Sequence, residues 1–142
     1  MINLICIGKL KKELVDSENE YLKRISKFSK INVIEIKEAS GNSKEEILKK
    51  EEKLMLPKLK DNICILSEEG KNMNSMEFSN IIKNDITFVI GSSYGLSENV
   101  KNKGKLISLS KMTFSHQLAR IILLEQIYRA YCIQKNLPYQ RD

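Results

Sequence analysis

The sequence predicts an α/β domain with a mainly parallel sheet and helices on both faces. Three observations predict it. Strand-like and helix-like stretches alternate along the whole chain. Three of the strand-like stretches, "INLICIG" (2–8), "NICIL" (62–66) and "ITFVI" (86–90), are continuous apolar runs, as expected of strands buried on both faces. The length, 142 residues, fits a single domain (1–142) and suffices to cover a sheet on two sides.

The elements follow in order. "INLICIG" is the first strand. "SENEYLKRISKFS" (17–29) places Tyr21, Leu22, Ile25 and Phe28 on one helical face behind a Ser17 cap. "INVIEIK" (31–37) is the second strand. Ser43 and Glu46 have capping-box spacing and open a Lys/Glu-rich helix that ends near Pro57, with Ile47, Leu48 and Met55 turned inward. "NICIL" is the third strand, followed by a loop "SEEGK". A short helix runs over roughly 75–83. "ITFVI" is the fourth strand, "GSSYG" (91–95) its loop, and Ser97 the cap of a helical turn. "KLISL" (105–109) is the fifth strand. The last helix spans about Ser115 to Lys135, and the tail reads "NLPYQRD".

Hydrophobic residues make up 42% and charged residues 30%, an ordinary globular composition. No apolar run approaches the roughly 20 residues that span a bilayer. The N-terminal run lacks a basic segment before it and reads as a buried strand instead of a signal peptide, so a cytoplasmic protein without membrane contact is expected. Cys6, Cys64 and Cys132 are odd in number, lack metal-ligand spacing and sit among apolar residues. They read as buried free thiols, and no metal site is expected.

The formal net charge of +6 favours an anionic partner such as nucleic acid. Lys101, Lys103, Lys105, Lys111 and Arg120 occupy a stretch with no acidic residue. It serves either as an RNA-facing surface or as a solvated face.

Three loops leave successive strands at the carboxyl edge, where ligands bind in such sheets: "LSEEGK", "GSSYG" and "SLSKMTF". Gly70, Gly91 and Gly95 permit either a simple turn or close backbone approach to a ligand. Neither the dinucleotide nor the P-loop glycine spacing is present. Ser115 and His116 are adjacent, which is poor geometry for a hydrolytic pair. His116, the only histidine, fits a helix-start role as well as a functional one.

The blocks "ITFVIGSSYGLSE", "LISLSKMTFSHQLARIILLEQIYRAY" and "PYQRD", with "INLICIGKLK" at the start, closely resemble the bacterial rRNA large subunit methyltransferase H family of SPOUT-class enzymes. The resemblance covers essentially the whole chain, strongest from Ile86 to Tyr139 and weakest around 40–60. It implies a C-terminal deep trefoil knot, which periodicity cannot show. It also implies S-adenosylmethionine as methyl donor, a homodimer, and methylation of N3 of a pseudouridine in 23S rRNA of assembled ribosomes.

Carried over residue by residue, the resemblance places the donor against Leu66, Gly91 and the loop Leu109, Ser110, Lys111, Met112, Thr113 and Phe114. It places Tyr139, Arg141 and Asp142 on the substrate side. The charge distribution, not the resemblance, sets Lys101, Lys103, Lys105 and Arg120 against RNA, with Arg141 of the tail beside them. Two positions depart from the pattern. Ser92 stands where the family usually has a second glycine, and Gln140 where it has a histidine. Glutamine is no general base. Two other outcomes therefore stand beside the main one: a ribosome-binding protein that has lost catalysis, and a SPOUT methyltransferase with another target nucleotide.

Overall fold

The computed structural model describes residues 1–140. Five strands, β1 (Ile2–Ile7), β2 (Ile31–Ile36), β3 (Ile63–Asn72), β4 (Ile86–Ile90) and β5 (Lys105–Ser108), form one sheet in the order β2-β1-β4-β3-β5. Every neighbouring pair is parallel. The helices are α1 (Lys12–Ile25), α2 (Lys44–Met55), α3 (Ser75–Ile81), α4 (Glu98–Lys101) and α5 (His116–Gln134), with one 3₁₀ turn at Leu56–Lys58.

Alternation along the strands divides the core in two. Leu4, Cys6, Phe88 and Ile90 face Ile25 of α1, Phe78 of α3 and Leu123, Leu124 and Ile127 of α5. Ile5, Ile7 and Val89 face Met55 of α2 and Val100 of α4. Both faces of the central strands are thus dry, which is why β1, β3 and β4 read as unbroken apolar runs. The three cysteines are free and buried. Burial pushes the Cys6 thiol up to about 12.

Two elements differ from the sequence expectation. The first helix begins at Lys12, not behind Ser17, and has no side-chain cap. The Lys11 N–H instead donates to Oε1 of Gln117 at 2.8 Å, a residue more than a hundred positions away. A cap supplied by tertiary contact leaves no local signal. The second is β3, which continues through "SEEGK". After a bulge between Leu66 and Lys71, Lys71 and Asn72 pair with Ile107 and Ser108. Gly70 allows this, because a Cβ there would stand 2.5 Å from the Ile107 nitrogen.

The other strands and helices lie within two residues of their expected bounds. Ser43 accepts from the Glu46 N–H, Ser97 from Val100 and Ser115 from Leu118, so three of the predicted or plausible caps are made. Glu46 closes on Asn42, one residue before the cap. Phe28 lies beyond the end of α1 but keeps its face, stacked on Tyr131 with centroids 5.4 Å apart.

Candidate active site

Because all strands are parallel, their carboxyl ends open on one edge. Leu66 of β3, the turn after β4 and the loop after β5 meet there around a cleft of about 660 Å³. Of the eight residues expected at a donor, seven line it: Leu66, Gly91, Leu109, Ser110, Met112, Thr113 and Phe114. Lys111 is exposed and is not among the lining residues. The sequence reading placed Ser93, Glu68 and Glu69 here only as members of the strand-end loops, and did not place Ile90, Leu96 and Ala119. Their only signal was position next to the glycine loops.

Gly91 is required by the chain's own backbone. A Cβ at this position would stand 2.5 Å from the Gly95 carbonyl oxygen. The turn it allows is closed by the Gly95 N–H donating to the Ser92 carbonyl at 2.8 Å, with Gly95 at φ +82°. Ser92 is buried. Its hydroxyl accepts from the Tyr94 N–H at 3.2 Å and faces the buried Glu51 carboxylate at 3.5 Å. The serine in place of a second glycine thus lines the cleft while its hydroxyl engages the α2 side, where Glu52 also receives the Ser97 hydroxyl at 2.6 Å. Burial pushes the Glu51 carboxyl above its ordinary value.

The loop after β5 organises itself with its own hydroxyls. Ser108 donates to the Ser110 carbonyl at 2.8 Å, the Ser110 hydroxyl accepts from the Met112 N–H at 3.0 Å, and Ser115 caps α5. That leaves apolar side chains on show, and Met112 is 73% exposed. His116 lines the cleft at the first turn of α5. A smaller cavity of about 310 Å³, bounded by Met73, Phe78, Ile122 and Gln126, adjoins through Leu109 and Phe114. The cleft is mostly apolar with a few convergent polar groups, and its volume suits a nucleoside-sized ligand.

The basic stretch does not form one surface. Arg120 is a correction: it is 4% exposed, bidentate to Glu18 at 2.6 and 2.9 Å and paired with Glu35 at 2.9 Å. α5 turns it inward toward α1 and β2, so it is not available to RNA. Lys101 borders the cleft but pairs with Glu69 at 3.1 Å and Glu98 at 3.6 Å, and the Glu69 hydrogen bond raises its pKa. Lys103 and Lys105 are exposed, yet they precede β5 or open it, at the amino end of the strand and away from the cleft.

The tail folds back on α5. The Tyr139 hydroxyl donates to Glu125 at 2.7 Å, and Arg129 donates to Gln140 at 2.9 Å and to Glu125 at 2.7 Å. The Arg129 guanidinium lies 4.6 Å from the Tyr139 ring centre. Burial and the Glu125 bond push the Tyr139 pKa up, so its hydroxyl stays protonated. Glu125 is about 14 Å along the helix axis from His116. Within one chain, then, Tyr139 and Gln140 do not meet the cleft. Arg141 and Asp142 lie outside the described residues.

A family model described as "Predicted SPOUT methyltransferase" matches residues 1–140. The chain belongs to the SPOUT methyltransferase family. Within that family it is 50% identical over 145 residues to the Ribosomal RNA large subunit methyltransferase H of Mycoplasmopsis synoviae, with 99% of each chain covered. It is 43% identical over 155 residues to the protein of the same name from Malacoplasma penetrans, again with 99% of each covered. Solved SPOUT-like folds agree. A Bacillus anthracis protein described as an RNA methyltransferase superposes with a TM-score of 0.58 at 13% identity, covering 100% of this chain and 99% of that one. A Legionella pneumophila protein described as a methyltransferase, solved with its cofactor SAM, gives 0.55 at 14%, covering 91% of this chain and 66% of that one. SPOUT methyltransferases draw their methyl group from S-adenosylmethionine. Among the described residues no helix is long and apolar enough to cross a membrane.

Proposed function

We propose that this chain is a cytoplasmic, S-adenosylmethionine-dependent methyltransferase of large-subunit ribosomal RNA that acts on N3 of a pseudouridine in assembled ribosomes. The observation that carries the reading is the cleft itself: seven of the eight expected donor residues converge on it, in a chain 50% identical to a methyltransferase of that name. The sheet order supports the knot. To reach its place beyond β3, the chain leaves β4 and crosses β3 before forming β5, and the crossing is tight enough to need Gly70 and Gly104 against neighbouring backbone.

When bound, S-adenosylmethionine supplies an activated methyl group. The loop 109–114 would hold it through backbone groups, because the loop's serine hydroxyls bond within the loop. Methyl transfer needs donor and acceptor in line at close range. The imide N3–H must lose its proton as the N–C bond forms. Neither Gln140 nor the protonated Tyr139 serves as base, which leaves the Asp142 carboxylate as the tail's acceptor, with Arg141 stabilising the imide anion and Tyr139 stacking on the base.

A two-fold homodimer brings the tail to the reaction. Leu118, Ile121, Ile122 and Glu125 form an incompletely buried stripe on α5. Antiparallel pairing of two such stripes about the 121–122 position sets residue 129 of one helix opposite residue 114 of the other. Arg129 carries Tyr139 and Gln140, and Phe114 lines the cleft. The composite site therefore consists of one protomer's donor cleft and its partner's tail.

The test is mass spectrometry of large-subunit rRNA from cells with and without the gene, alongside methyl incorporation by the purified protein on ribosomes. Loss of one N3-methylpseudouridine in the deletion supports the reading. A different missing methyl group reassigns the target. Donor binding without any transfer identifies a catalytically inactive ribosome-binding protein, the reading that Gln140 favours.

A further inference from the structure

We propose that the turn 8–11 after β1 is a phosphate-binding arm for the RNA substrate, presenting Lys9 and Lys11 beside the cleft, with Lys111 on the opposite lip. The proposal rests on the RNA reading above and names which charges meet the backbone.

The geometry begins with strand order. β1 lies next to β4, with Cys6 level with Ile90. The turn after β1 therefore leaves the same edge as the Gly91 turn, one strand over. Gly8 adopts φ +86° to start it. The turn is then tied down from a distance. Gln117, in the first turn of α5, accepts the Lys11 N–H at 2.8 Å and donates to the Lys9 carbonyl at 3.0 Å. Its neighbour His116 lines the cleft. One side chain thus holds the turn at both ends and anchors it to the helix that builds the cleft wall.

A surface lysine on a free loop carries little information. These two sit on a turn preorganised by two long-range hydrogen bonds, and both are exposed. Lys111 is exposed as well, in the one donor-loop position that does not line the cleft. Two acids stand nearby, Glu13 in the first turn of α1 and Glu38 beside Gly8. Among the described residues neither forms an ion pair with Lys9, Lys11 or Lys111, whereas Lys101 and Arg120 are both paired with carboxylates. Uncompensated positive charge therefore stands on the turn 8–11 and on Lys111 at the rim of the cleft. A substrate whose base enters the cleft must pass its phosphates over that rim, and lysine ammonium groups bind phosphate without reading sequence.

The experiment measures binding of purified large ribosomal subunits across a potassium chloride series. The variants are Lys9→Gln/Lys11→Gln, Lys111→Gln and Lys103→Gln/Lys105→Gln, with donor affinity followed by calorimetry. Each lost phosphate contact lowers the slope of log affinity against log salt by about 0.7 to 0.9. The expected result is a slope lower by about 1.5 for the Lys9/Lys11 variant and about 0.8 for Lys111→Gln. Their low-salt affinity should be about tenfold weaker or worse, and the donor affinity of the Lys9/Lys11 variant should stay within about twofold. A slope equal to wild type in the Lys9/Lys11 variant overturns the proposal. So does a larger loss in the Lys103/Lys105 variant, which would put the RNA at the other end of the sheet. A wild-type protein that neither binds nor methylates ribosomal subunits overturns the RNA reading itself, a result distinct from a defect confined to the variants.

Discussion

The Tyr139 hydroxyl donates to the Glu125 carboxylate at 2.7 Å, across fourteen residues of chain. Glu125 also holds Arg129, which in turn holds Gln140. A segment that sequence alone would leave as a frayed end is instead pinned along the helix.

If that pinning sets the tail for a partner's cleft, Glu125→Ala should lower methyl transfer to ribosomes by about tenfold or more, a barrier change of about 1.4 kcal/mol. Donor affinity should stay within about threefold. Removing 139–142 should abolish transfer with the same sparing of the donor, and Gln140→His should hold or raise the rate. Equal losses of donor binding and turnover would place the tail in the donor pocket instead.

Gly91→Ala should weaken donor binding through the chain's own turn. Its Cβ would stand 2.5 Å from the Gly95 oxygen, forcing backbone to move at a cost of about 1 to 3 kcal/mol. Urea denaturation should show that loss, and calorimetry a donor affinity lower by about tenfold, near 1.4 kcal/mol. Unchanged stability and affinity together would show that the turn opens freely.

Arg120→Met should cost about 3 to 5 kcal/mol, because it strands Glu18 and Glu35 without their cation. Chemical denaturation reads this directly. The salt slope of ribosome binding should not change in the folded fraction. A stable variant with a reduced slope would return Arg120 to the RNA surface.

Glu51 has its carboxyl pKa raised in the folded state by burial, above the ordinary 4.5. The folded protein therefore holds that proton more tightly than the unfolded chain. The associated stability is fully present below pH 4.5 and is lost as pH rises through the folded value. Glu51→Gln should remove this dependence, so wild type should lose ground to the variant on going from acid to neutral pH. Parallel denaturation midpoints across that range would contradict it.

Much of this was legible in the residues. β4 was read with its observed bounds, the serine caps at 43 and 97 are made as the local pattern implied, and Ser115 caps α5 where the helix was read to start. The cleft was legible because strand ends in a parallel sheet gather at one edge, and the motif named its loops. What stayed hidden depends on distant partners. Nothing near Lys12 shows that Gln117 will cap α1. Nothing near Arg120 shows that Glu18 and Glu35 will draw it inward. The bulge in β3 exists only because β5 lies beside it. Each is a relationship between segments far apart in sequence, to which periodicity and capping patterns are blind.

The Arg120 cluster has a consequence for the protein's own synthesis. Of the described elements α5 leaves the ribosome last. Until it does, Glu18 and Glu35 lack their arginine, the turn 8–11 lacks its Gln117 tether, and one face of the sheet lacks its cover. The cleft wall is also missing. Closure of the described core and of the donor cleft therefore both wait on α5, although most of the residues that line the cleft precede it.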